Sequence, residues 1–191
     1  PIYLNLLHEL VGEQFEVLRK SSFEDQGEIV RYCELLPECD LRDIYQRMLK
    51  ADSDEERARL QNEIRALIKP GPIDVNIMTK LDRDFDRRGV KYPENSSDAL
   101  SGLRGFMNSD VNGAVILPAG MNRRLFSYIA NFDAAYPDAN GNTRKRIILK
   151  VSDYRSALVQ GKMFAKLGLH IAEYRVESGL NCGGHAFGGK G

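Results

Sequence analysis

Leu4, Leu7, Leu10, Val11, Phe15 and Leu18 recur at intervals of three and four, the spacing of one buried face on a helix. The rhythm returns in Leu41, Ile44, Tyr45 and Met48 behind Asp40, a side chain suited to capping a helix N-terminus. It returns again in Leu60, Ile64 and Leu67 behind Ser53 and Glu56, which have the spacing of a capping box. Residues 1–70 therefore predict a helical segment, closed by the breaker cluster Lys69-Pro70-Gly71-Pro72. Beyond it the pattern changes to short apolar runs at 75–79, 113–117, 147–151 and 171–176. These alternate with helical stretches over 98–108, 121–132 and 154–167, the last stopping at Gly168. An order β-α-β-α-β-α-β implies parallel strands joined by right-handed crossovers. Apolar runs without strict alternation suit strands covered on both faces.

The fold class this predicts is α/β, with about four parallel βα units of TIM-barrel type over 73–191 behind a helical N-terminal segment. An open doubly wound sheet shares the order, but its Gly-x-Gly-x-x-Gly fingerprint is absent. Lys80-Leu81-Asp82-Arg83-Asp84 and a polar stretch to Ser97 come after the first run instead. In a barrel, function gathers at the C-terminal ends of the strands. That rule directs attention to Thr79, Lys80, Ala119, Gly120, Lys150, Ser152, Glu177 and Ser178. Four units leave two sheet edges unpaired. The chain begins at Pro1 and stops at Gly191, just past a glycine-rich stretch. The expectation is that further chain, or a second copy in a homo-oligomer, completes the barrel.

Composition narrows the function classes. Of 191 residues 42% are apolar and 28% charged, an ordinary globular balance. Lys plus Arg (27) equals Asp plus Glu (27), which argues against a chain-wide attraction for nucleic acid or an anionic membrane. The charge is unevenly spread: residues 1–70 hold 10 basic and 15 acidic side chains, residues 71–191 hold 17 and 12. The basic clusters Arg87-Arg88 and Arg144-Lys145-Arg146 lack interleaved aromatics and read as solvated loop charges. No apolar run has membrane-spanning length. Three cysteines make no disulfide framework and suit a reducing cytoplasm. Cys33 and Cys39 have no neighbouring His or further Cys, so no metal site is expected there.

Two features carry chemistry. Lys150 sits at the end of an otherwise apolar run, Ile-Ile-Leu-Lys-Val, where a charge is costly unless paired or bound. It reads either as an end-of-strand lysine reaching solvent or a carboxylate, or as a cation that meets negative charge on a ligand. The second feature is Arg175-Val176-Glu177-Ser178-Gly179-Leu180-Asn181-Cys182-Gly183-Gly184-His185. Here a strand runs into a glycine-rich loop whose backbone N–H groups can approach a ligand. Its histidine titrates near neutrality.

Gly183-Gly184-His185 behind a Glu/Ser strand end resembles the glycine-glycine-histidine loop of nitronate monooxygenases and the related flavin-dependent enoyl reductases. Leu149-Lys150-Val151-Ser152, with Ser178-Gly179 and Gly183-Gly184 closing the next strand, resembles the FMN barrel of glutamate synthase. The resemblance spans residues 145–188, and 74–144 by element order alone. It implies an FMN-dependent oxidoreductase on a (β/α)8 barrel, acting on a small organic substrate. It further implies His185 as the proton acceptor or donor and Lys150 facing the N1/O2 edge of the flavin. Ser178, Gly179, Gly183, Gly184 and Thr79 would line the cofactor. Two other readings stay open: an interaction or scaffold module built on the acidic helical segment, and thiol or metal chemistry at Cys182 and His185, with Cys182 as nucleophile.

Overall fold

A computed structural model describes residues 1–24, 26–79 and 82–177. Its elements run α1 (Ile2–Lys20), α2 (Glu28–Glu34), α3 (Asp40–Leu49), α4 (Asp54–Leu67), β1 (Val75–Asn76), α5 (Asp98–Met107), β2 (Gly113–Leu117), α6 (Arg123–Ile129), a 3-10 turn (Asp133–Ala135), β3 (Lys145–Val151), α7 (Tyr154–Lys166) and β4 (Glu173–Val176). The chain divides into two compact units. One is Leu6–Gly71; the other joins Pro1–Asn5 to the chain from Pro72 onward. The first five residues thus group with the strands, although the sequence pattern reads continuously through them. Among the described residues no helix is long and apolar enough to cross a membrane.

The helical unit closes around Phe15, Ile29, Val30, Cys33, Tyr45, Met48, Leu60, Ile64 and Ile68. Ser53 caps α4 as its spacing predicts, its hydroxyl accepting from the Glu56 N–H at 3.2 Å. Asp40 does not cap α3: the helix begins at Asp40 itself and Cys39 holds the cap position. From the first turn the Asp40 carboxylate favours the positive end of the helix dipole instead. The seven-residue α2 is too short for a helical period to emerge in the sequence, yet it buries Ile29, Val30 and Cys33. Arg65 ties the unit's first loop, donating to the carbonyls of Arg19 and Ser21 and covering the Phe23 ring.

The strand unit is a four-stranded parallel sheet in the order β1-β2-β3-β4. Only Val75 and Asn76 form β1, where the apolar run predicts strand through residue 79. One further bond continues the ladder, from Ile77 N to Ile116 O. The next link would need an N–H from Pro118, and proline has none. At the other edge, β4 begins at Glu173 rather than residue 171. Helix α6 is shorter than the stretch 121–132, giving way after Ile129 to the 3-10 turn. Gly168 ends α7 with φ +71°, a left-handed position that glycine occupies without strain.

Side-chain alternation sorts β3 into two faces. Ile147, Leu149 and Val151 join Val115 and Leu117 of β2 in one core with Leu100, Leu103 and Phe106 of α5, Leu125, Phe126 and Ile129 of α6, and Phe164 of α7. All three crossover helices therefore lie on one face of the sheet. Ile116, Ile148 and Lys150 belong to the other face. Lys145, expected as a solvated loop charge, is fully buried on the helix-covered face. Its ammonium donates to Ser109 O at 2.9 Å, Ser109 Oγ at 3.0 Å and Val111 O, and lies 4.4 Å from the Phe106 ring centre. Three convergent oxygens are what make such burial tolerable.

Candidate functional site

The C-terminal edge of the sheet is built by the segments that leave each strand. After β1 comes the polar stretch, which is folded rather than loose. Phe85 and Lys91 form an antiparallel bridge around an Asp86 turn. The Asp82 carboxylate accepts from Ser97 Oγ and Ala99 N, and Ser97 in turn caps α5. Arg83 pairs with Asp98 and Arg124 with Asp84. These contacts anchor the stretch to the first turns of α5 and α6.

After β2, the Ala119 carbonyl accepts from Gln160 Nε2 of α7 at 3.2 Å, and the same amide donates to Ser156 Oγ at 3.0 Å. Gln160 is buried, and its Oε1 has no hydrogen-bond partner among the described residues. After β3, Asp153 caps α7 through the Ser156 N–H at 2.7 Å and also accepts from Ser152 Oγ. Those bonds hold its carboxyl below the usual range, the Ser156 N–H contributing most. Ser152 is thus committed to the cap.

Lys150 is the charged group this edge presents on the face without α5–α7. Its side chain is 5% exposed, and Nζ stands 3.8 Å from Glu177 Oε2, just past β4. In register, Lys150 pairs with Arg175 and Ile148 with Glu173. Glu173 and Arg175 consequently lie on one face of β4, with Glu177 just past it, beside Lys150. Two cations directly opposite each other repel; here each has a carboxylate, since Arg175 Nε donates to Glu173 Oε1 at 2.9 Å. The Lys150–Glu177 separation is an ion-pair distance, longer than a hydrogen bond. A buried pair of this kind adds little net stability by itself.

Of the positions the sequence points to, Lys150 and Glu177 come together. Thr79 is half-buried beyond β1, on the far side of β2 from Lys150. Lys80, Ser178, Gly179, Cys182, Gly183, Gly184 and His185 lie outside the described residues. Among the described residues no three His, Cys, Asp or Glu side chains cluster as metal ligands. Sequence reasoning misses Arg175 and Gln160. Arg175 has a signal, the period-two charge pattern Glu173-x-Arg175-x-Glu177. Gln160 has none, because its partner carbonyl is 41 residues away. Set against known protein families, curated proteins and solved structures, the chain matches none.

Proposed function

We propose that the chain is the flavin-facing part of an FMN-dependent oxidoreductase acting on a small organic substrate. The observation that carries this reading is Lys150, an ammonium almost withdrawn from water at the C-terminal edge of a parallel sheet. Sequential strand order with every crossover helix on one face supports a barrel-type winding. In a doubly wound sheet the helices are divided between both faces. One donor suited to the cofactor is described: Lys150 brings three N–H groups near the end of β3. Lys150, Thr79 and the backbone of Ser178, Gly179, Gly183 and Gly184 would hold it.

FMN, when bound, supplies a two-electron acceptor whose reduced form carries negative charge. Lys150 would supply a positive charge to offset it. Glu177, just past β4, would serve as the ammonium's counter-charge, and His185 would take or return the substrate proton.

A second reading, an interaction module, is favoured by the helical unit. Leu6, Leu10 and Val17 of α1 are exposed, and a cleft of about 410 Å³ is lined by Leu7, Leu10, Phe15, Leu18 and Tyr32. Flavin titration separates the two. Saturable quenching of FMN fluorescence by the protein is expected for the oxidoreductase. A protein that leaves FMN emission unchanged overturns that function and leaves the interaction module.

A further inference from the structure

Helices α6 and α7 carry no acidic residue. Their sequences are Arg-Arg-Leu-Phe-Ser-Tyr-Ile and Tyr-Arg-Ser-Ala-Leu-Val-Gln-Gly-Lys-Met-Phe-Ala-Lys. Between them opens a cleft of about 350 Å³ lined by Met121, Arg123, Val159, Lys162, Met163 and Lys166. Its volume falls in the range of small-ligand pockets. Arg155, Val159, Lys162 and Lys166 stand at i, i+4, i+7 and i+11, one stripe along α7. Arg124 pairs with Asp84. Among the described residues no carboxylate forms an ion pair with Arg123, Lys162 or Lys166.

The two halves of the lining ask for different chemistry in one ligand. Met121, Val159 and Met163 make an apolar floor, with methionines that adapt to the shape of an alkyl chain. Lysine stems extend such a floor while their ammonium groups stay at the rim. Arg123, Lys162 and Lys166 gather at the rim without an ion-paired carboxylate among the described residues, an arrangement that favours an anion. A polyanion such as nucleic acid would use the cations and leave the floor idle, and no aromatic ring lines the cleft for a base to stack on.

We propose that this cleft binds a small amphipathic anion, a carboxylate carried on a short alkyl chain. The head group meets Arg123, Lys162 and Lys166 while the chain lies on Met121, Val159 and Met163. The site is independent of Lys150 and of any flavin.

Decanoate is the probe, added as monomer to the full chain with methyl-labelled methionine and followed by NMR. The chain has five methionines, so Met48, Met78 and Met107 serve as internal controls. Met121 and Met163 methyl signals are expected to shift saturably, more weakly at high salt. The variant Arg123→Gln/Lys162→Gln/Lys166→Gln should weaken binding by about tenfold, the product of three modest surface charge contacts. Affinity should rise about fourfold for each methylene added to the chain. Equal binding of decanol, binding undiminished in the triple variant, or no shift of Met121 and Met163 overturns the proposal. Binding to phosphatidylglycerol vesicles without a shift from monomeric decanoate overturns it in favour of a membrane-docking face.

Discussion

Lys145 and Lys150 lie five residues apart on β3 and point to opposite faces of the sheet. An odd separation on a strand dictates this, and the surroundings make two different groups of one residue type. Lys145 is enclosed on the helix-covered face, bound to Ser109 and Val111 beneath the Phe106 ring. Lys150 is on the other face with Glu177 as its counter-charge. The first pins the connection between α5 and β2; the second is the cation of the candidate site.

Burial pushes the Lys145 ammonium down to about 8, with the neighbouring Arg144 charge adding to the effect. Between that value and the ordinary 10.5 of lysine, the folded chain holds fewer protons than the unfolded chain. The contribution of Lys145 to stability therefore rises with pH through this window and is flat below it. Urea unfolding from pH 7 to 10 should show the stability gap between wild type and Lys145→Met widening in favour of wild type above pH 8. At pH 7 the substitution should cost about 1–3 kcal/mol by orphaning buried acceptors. A gap that stays constant with pH would contradict the assignment.

Element order is legible in the sequence because it rests on local pattern. Ser53 marks a helix start, and the apolar runs 113–117 and 147–151 lie within β2 and β3. What local pattern does not carry is partnership across distance. Lys145 looks like part of a solvated basic cluster because its acceptors lie more than thirty residues earlier. The apolar run overextends β1 because the proline that ends its ladder, Pro118, follows a different strand. For the site, the mismatch of Lys150 with its apolar neighbours is visible in the sequence. The pairing of Glu177 with it and the place of Arg175 opposite it are not, since their facing positions depend on the β3–β4 register.

Gly113 opens β2 against the preceding segment. A Cβ there would lie 2.1 Å from the Ile73 carbonyl oxygen, a backbone atom with no rotamer to adopt. Gly113→Ala should destabilise the protein by about 1–3 kcal/mol through overpacking, read as a lower urea midpoint with unchanged slope. An unchanged midpoint would show that β1 and β2 separate without cost.

The cysteines of the helical unit should differ sharply in reactivity. Burial, aided by Glu34, raises the Cys33 thiol to about 11, whereas Cys39 is exposed. The thiolate is the reactive form. Iodoacetamide at pH 8 should label Cys39 in the native protein and Cys33 only after denaturation, as read by peptide mass. Comparable native rates for both would contradict the core placement of Cys33.

The central claim, that Lys150 supplies the positive charge for a bound flavin, is tested most directly by the reduction potential of protein-bound FMN in wild type and Lys150→Met. Loss of the ammonium should weaken FMN binding and move the potential to more negative values, because the charge on the reduced ring loses its counterpart. Equal affinity and equal potential in the two proteins would contradict the account.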